Sequence, residues 1–201
     1  YISPTSSSPE LSDSEEFEGF FRVIPSDGLD GPLLAYLLTV TDAGSGSSSP
    51  ALVYDATDSF FEQTAELFEE AWAGDGNPMC LDSDGDDLSF ALYSSSPDYD
   101  TISEEIVSNS CDSVVIVTWA DSGIDMVESL RHYGFDEDIV SYYDMAFLDE
   151  SDFDDLSDAD GIIVAERSAY ESGLSDYFWH ACDANHECSG ANAIFQAQAF
   201  D

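Results

Sequence analysis

The chain has no lysine, and its only basic residues are Arg22, Arg131 and Arg167, against 44 Asp and Glu, for a formal net charge of -41. Neutralising phosphates requires Lys and Arg, so DNA and RNA are all but excluded as partners. An anionic membrane surface is excluded for the same reason. No zinc signature is present: the four cysteines contain neither a CxxC nor a Cys/His cluster of ligand spacing. His132, His180 and His186 are scattered. No GxSxG, phosphate-binding loop or Cys–His pairing supports catalysis, so no enzyme and no cofactor is expected. No signal peptide, lipobox or membrane-spanning run is visible. The opening Tyr1-Ile2-Ser3-Pro4 suggests that a natural N-terminus lay upstream.

What is present describes a packed protein. Its 201 residues are 43% hydrophobic and 13% aromatic. A chain of this length buries roughly 70% of its unfolded surface, unlike a disordered acidic tail. The acids are spread along the chain and interleaved with apolar runs. Such a surface repels itself at low salt, and at 1 M salt the screening length falls to roughly 3 Å. The composition therefore predicts a salt-adapted source. Cys182 and Cys188 bracket a short polar loop that a disulfide would close, and Cys80 and Cys111 precede apolar β-like runs and form the other candidate pair. Two bridges would imply an oxidising compartment; free buried cysteines are the alternative.

The chain alternates short apolar strands with amphipathic helices. Strand-like runs fall at 19–24, 51–54, 79–81, 114–118, 139–143 and 161–165. Helical spacing covers 32–40, 60–73, 99–107, 124–133 and 170–181, with a short acidic helix at 148–156. Ser/Pro/Glu-rich residues 3–18 and the run 44–50 read as loops. This alternation specifies an α/β fold with a parallel sheet covered on both faces. In such folds ligands bind beyond the carboxyl ends of the strands, which directs attention to residues 55–60, 119–122 and 144–147.

The segments ISPTSSSPELSD, FFRVIPSDGLDGPLLA, ALVYDATDSFFEQTAELFEEA and DSVVIVTWADSGIDMVESLRHYGF occur in this order. Together they resemble the type I periplasmic solute-binding proteins, in the branch of the leucine/isoleucine/valine-binding proteins of branched-chain amino acid ABC transporters. FFRVIPSD is the most specific piece. The resemblance implies Rossmann-like lobes joined by crossing strands, with a solute held in the cleft. On it, residues 1–22 end the first lobe and form a hinge, residues 23–161 form the second ligand-binding lobe, and residues 162–201 cross back toward an incomplete first lobe.

The same resemblance assigns site residues. Asp144 would accept the ligand ammonium; an ordinary solvated Asp is the competing reading. Thr5, Ser6 and Ser7 match a first-lobe loop that contacts the amino-acid backbone, where hydroxyls and amides suit a carboxylate; a plain Ser-rich loop is the alternative. Ser59 or Phe60 takes the place of an aromatic after the strand at 51–54, although Phe60 equally suits a helix core. Trp119 matches another aromatic wall position. The usual Tyr-Gly pair is missing, which leaves the solute open. The run Asp82-Ser83-Asp84-Gly85-Asp86-Asp87 looks like a calcium loop, but its glycine falls early and Tyr93 replaces the bidentate Glu, so a solvated loop fits better.

The function implied is an extracytoplasmic receptor, periplasmic or at the cell surface, with a lipid anchor conceivable upstream. It would act as a monomer that captures an amino-acid-like small molecule and delivers it to an ABC permease. The alternatives are a ligand-sensing domain of a signalling receptor and, below it, a metal-dependent hydrolase.

Overall fold

A computed structural model describes residues 1–3, 6–13, 15–22, 25–40, 49–93, 97–142, 145, 152–153 and 155–165. They fall into two compact units, one holding Tyr1–Leu29 and the other Asp30–Glu166. The expected helix at 170–181 lies outside the described residues, as do most of the one at 148–156, Cys182 and Cys188. Among the described residues no helix is long and apolar enough to cross a membrane.

In the first unit, β1 (Ile2–Ser3) pairs in parallel with β2 (Phe21–Arg22), Ile2 opposite Phe21 and Ser3 opposite Arg22. The chain between them carries a 3-10 turn at Pro9–Ser12, started by the fixed backbone of Pro9. A second 3-10 turn, Asp27–Leu29, closes the unit.

The second unit is a five-stranded sheet: β3 (Pro50–Asp55), β4 (Ser89–Leu92), β5 (Ser113–Val117), β6 (Asp138–Tyr142) and β7 (Ile162–Ala165). Every pairing is parallel and the order is β4-β3-β5-β6-β7. The helices are α1 (Asp30–Val40), α2 (Ser59–Gly74), α3 (Tyr99–Ser108) and α4 (Ala120–His132). The expected α/β fold with a covered parallel sheet is what forms.

The central strand β5 is buried along its whole length, which is why it reads as an unbroken apolar run. Alternation splits the core between the two faces. Ala51, Val53, Val114, Ile116 and Ile139 pack with Ile106, Met126, Val127 and Leu130 from α3 and α4. Leu52, Val115, Val117, Val140 and Tyr142 pack with Leu34, Leu38, Phe61 and Phe68 from α1 and α2. Each fully buried Leu or Phe contributes about 1.5–3 kcal/mol. On the second face α1 presses close to α2, where a Cβ on Gly31 would lie 2.4 Å from the Phe68 amide nitrogen.

Two expectations change. The run 79–81 is not the second sheet strand; Leu81 makes only an isolated antiparallel bridge to Asp87, and Ser89–Leu92 is the strand. Met79 and Cys80 are buried, and Cys80 forms a disulfide with Cys111. The expected Cys80–Cys111 pairing therefore holds. It ties the arm after α2 to the start of β5, and the Cys80 amide also donates to the Pro50 carbonyl. Helix α4 begins at Ala120 rather than at residue 124.

Arg131, near the end of α4, donates to four backbone carbonyls: Phe135, Glu137, Asp158 and Asp160. It thereby holds the entry to β6 and the turn Leu156–Ala159 ahead of β7.

Candidate ligand-binding site

Strands β3 and β5 are neighbours, but the chain leaves β3 toward β4 on one side and leaves β5 toward β6 on the other. In open parallel sheets ligands bind beyond the carboxyl ends of the strands at such a reversal. Three strand ends furnish its residues.

After β3, the Asp55 carboxylate accepts the Thr57 amide at 2.7 Å and the Thr57 hydroxyl at 2.6 Å. Asp58 then caps α2, its Oδ1 accepting the Phe60 amide at 2.9 Å. This capped turn sets Ser59 exposed on the first turn and Phe60 half-buried beside it. The Phe60 ring lies 5.1 Å from Phe61 and 5.7 Å from Tyr142.

After β5, Trp119 stands at the N-cap position of α4 with no side-chain capping bond. Its indole meets the Phe61 ring edge to face, centroids 4.9 Å apart. Phe61 is wholly buried while Trp119 is 51% exposed. One side of the indole is therefore anchored and the rest is available to a partner. Such T-shaped pairs add about 0.5–1.5 kcal/mol beyond burial.

After β6, Tyr142 is buried and donates its hydroxyl to Asp30 Oδ2 at 2.7 Å. Tyr143 and Asp144 lie outside the described residues. Met145 is buried against α4; a Cβ on Gly123 would come within 2.4 Å of its Sδ. From α3, the Tyr99 phenol lies near Ser122 at the start of α4. Burial pushes the Tyr99 phenol above its ordinary value, the nearby Ser122 hydroxyl opposes this, and the Asp125 and Asp55 carboxylates add to it.

The structure thus joins Phe60 and Trp119 through Phe61, and sets Ser59 on the same turn. Phe61 and Tyr142 complete the ring cluster, and sequence reasoning had assigned both only to secondary structure. An aromatic doublet directly after a capped strand end was the available signal for Phe61. No local signal pairs Tyr142 with Asp30, because 112 positions separate them.

In the first unit Thr5 lies outside the described residues. Ser6 donates its amide to Ser3 Oγ at 2.9 Å and accepts the Ser3 hydroxyl at 2.7 Å. The Ser7 carbonyl accepts from Arg22 Nη1 at 2.6 Å and from the Asp27 amide at 2.9 Å.

The acidic loop at 82–87 is closed on itself. Asp82 Oδ1 accepts the Asp84 amide at 2.8 Å and the Asp86 amide at 2.9 Å. Among the described residues, no group of three or more His, Cys, Asp or Glu side chains is arranged to hold a metal ion.

No protein-family model matches the sequence, and no curated protein does. Solved structures do match. A protein assigned as a branched-chain amino acid ABC transporter from Rhodospirillum rubrum is 15% identical, with a TM-score of 0.77, covering 98% of this chain and 54% of its own. An ABC transporter substrate-binding protein from Desulfitobacterium hafniense is 20% identical at a TM-score of 0.68, with 98% of this chain and 53% of its own covered. A Desulfitobacterium hafniense substrate-binding protein in complex with Leu is 19% identical at a TM-score of 0.65, with the same coverages of 98% and 53%. The chain spans about half the length of the structures it matches. The fold is that of the type I periplasmic binding proteins, as the resemblance implied.

Proposed function

We propose that the chain is part of an extracytoplasmic solute-binding receptor that captures a small amino-acid-like molecule for an ABC importer. It performs no chemistry on its ligand. The observation that carries this reading is the half-exposed Trp119, braced edge to face on the buried Phe61 at the strand-order reversal. The fold shared with substrate-binding proteins, one of them solved with Leu, supports it. An indole fixed on one side and open on the other offers an apolar wall to a solute side chain. Phe60 extends that wall, and Ser59 is the polar group on the same turn.

The remaining contacts of the proposal are chemical requirements of a free amino acid. Asp144 is its ammonium acceptor, and Thr5, Ser6 and Ser7 supply hydroxyls and amides to its carboxylate. Charge-assisted hydrogen bonds of this kind contribute roughly 1.5–3 kcal/mol each. The Cys80–Cys111 disulfide supports an oxidising location such as the periplasm or cell surface. A monomer that docks on a permease completes the reading.

The test is calorimetry on the full-length protein with a panel of amino acids, L-leucine included. A saturable isotherm is expected for at least one of them. Trp119→Ala should weaken it about ten-fold or more, and Trp119→Phe less, as expected for an aromatic anchor that the solute covers. Absence of binding by every amino acid and short derivative would remove the receptor reading.

A further inference from the structure

Arg22 is one of three basic side chains in a chain with 44 acids, yet its hydrogen-bond partners among the described residues are uncharged. Nη1 donates to the Ser7 carbonyl at 2.6 Å and to the Ser8 carbonyl at 2.9 Å. Nη2 donates to the Ser12 hydroxyl. The guanidinium carbon lies 5.9 Å from the centroid of the Phe20 ring. Parallel pairing of β1 with β2 fixes Arg22 opposite Ser3, and Ser3 in turn binds both the amide and the hydroxyl of Ser6. The loop 6–8 is therefore gripped at one end by Ser3 and along its carbonyls by Arg22.

A trans peptide is planar, with its C=O and the following N–H pointing opposite ways. With the Ser7 carbonyl drawn toward Arg22, the Ser8 amide is turned away from it. Among the described residues, neither the amides nor the hydroxyls of Ser7 and Ser8 form a hydrogen bond within the protein. Two consecutive serines thus present unspent donors, on a loop whose acceptors are occupied by a cation. On a surface this acidic, few other places can receive an anionic group.

We propose that Arg22 is a positioning residue for solute recognition: by holding the Ser7 and Ser8 carbonyls, it orients the serine donors to receive a carboxylate on the solute. This rests on the receptor reading above and adds the residue that makes the serine loop selective for acids over their neutral derivatives. Lysine cannot substitute, because one ammonium lacks the planar fork that reaches two carbonyls and a hydroxyl together.

The experiment compares the full-length wild-type protein with Arg22→Gln, Arg22→Lys and Ser12→Ala. Each is titrated calorimetrically with the tightest-binding amino acid of the panel and its α-carboxamide, beginning with L-leucine and L-leucinamide. Arg22→Gln is expected to weaken the acid about ten-fold or more and leave the amide within two-fold, collapsing the ratio between them; this is the size of effect that losing one well-aligned charged hydrogen bond produces. Arg22→Lys should behave like Arg22→Gln. Ser12→Ala, which removes only the Nη2 partner, should shift the ratio in the same direction by less and guards against an Arg22 variant that fails to fold. Equal losses for acid and amide, or an unchanged ratio in every folded variant, would overturn the proposal while leaving the receptor reading intact. A wild-type protein that binds no amino acid would remove that reading, and this proposal with it.

Discussion

The phenol of Tyr142, at the end of β6, donates to the carboxylate of Asp30, at the start of α1, across 2.7 Å. Both are buried, at 3% and 2% exposure. The bond pins the first turn of α1 to the strand end that runs on toward Asp144. Tyr142→Phe keeps the ring against Phe60 and removes only the donor. It should destabilise the protein by about 1–3 kcal/mol, the cost of removing one buried hydrogen bond to a carboxyl group. The check is a lowered urea midpoint with an unchanged slope.

The Cys80–Cys111 bridge closes a loop with a sequence separation of 31. Loop-closure entropy puts its contribution at about 3–4 kcal/mol. Cys80→Ser with Cys111→Ser should therefore lower the urea midpoint by that equivalent. Treating the wild type with reductant under unfolding conditions should reproduce the loss. An unchanged midpoint in the double variant would show that packing of Cys80 and Cys111, both buried, holds this arm instead.

Two glycines make opposite tests of close packing. A methyl on Gly31 meets the Phe68 amide nitrogen at 2.4 Å and the Leu67 carbonyl carbon at 2.6 Å, neither of which can move alone. A methyl on Gly123 meets the Met145 Sδ at 2.4 Å, part of a side chain that can swing away. Helix propensity favours alanine at both sites by about 1 kcal/mol. Gly31→Ala should nonetheless be destabilising by about 1–3 kcal/mol, and Gly123→Ala clearly less so. Thermal melts of the two variants settle the order.

Asp82 carries a pH signature. Its carboxyl lies below the ordinary value of 3.8, chiefly because the Asp86 amide donates to it; desolvation opposes this, and the Asp84 and Gly85 amides add to it. A depressed folded pKa contributes stability that is present above the unfolded value and lost as pH falls through the folded one. Asp82→Ala should therefore be less stable than wild type at pH 7, with the gap closing as pH is taken below 3.8. A gap that stays constant into strong acid would assign the effect to the turn rather than to the charge.

Strands β3, β5 and β6 were legible in the sequence because both of their faces are covered, so each carries a run of buried apolar residues: Ala51 to Val53, Val114 to Val117, and Ile139 with Val140. Strand β4 was not. It lies at a sheet edge, only Leu92 of its four residues is buried, and the apolar run at 79–81 outcompeted it. The early start of α4 was hidden for a related reason: Ala120, Asp121, Ser122 and Gly123 show no apolar period, and Gly123 is there to admit Met145. Phe60 and Trp119 stood out in the sequence because they follow strand ends and match aromatic positions of the family the chain resembles; the structure joins them through Phe61. The bracing of Trp119 by Phe61, and of Tyr142 by Asp30, depends on contacts across the fold that no local pattern encodes.

The grip of Arg131 on four carbonyls bears on how this part of the fold responds to salt. A pair between guanidinium and carboxylate competes with every sodium and chloride ion in a brine, whereas peptide oxygens attract those ions far less strongly. Added electrolyte screens a pair of full charges, so a clasp whose acceptors are uncharged peptide oxygens depends less on the salt around it than an ion pair would.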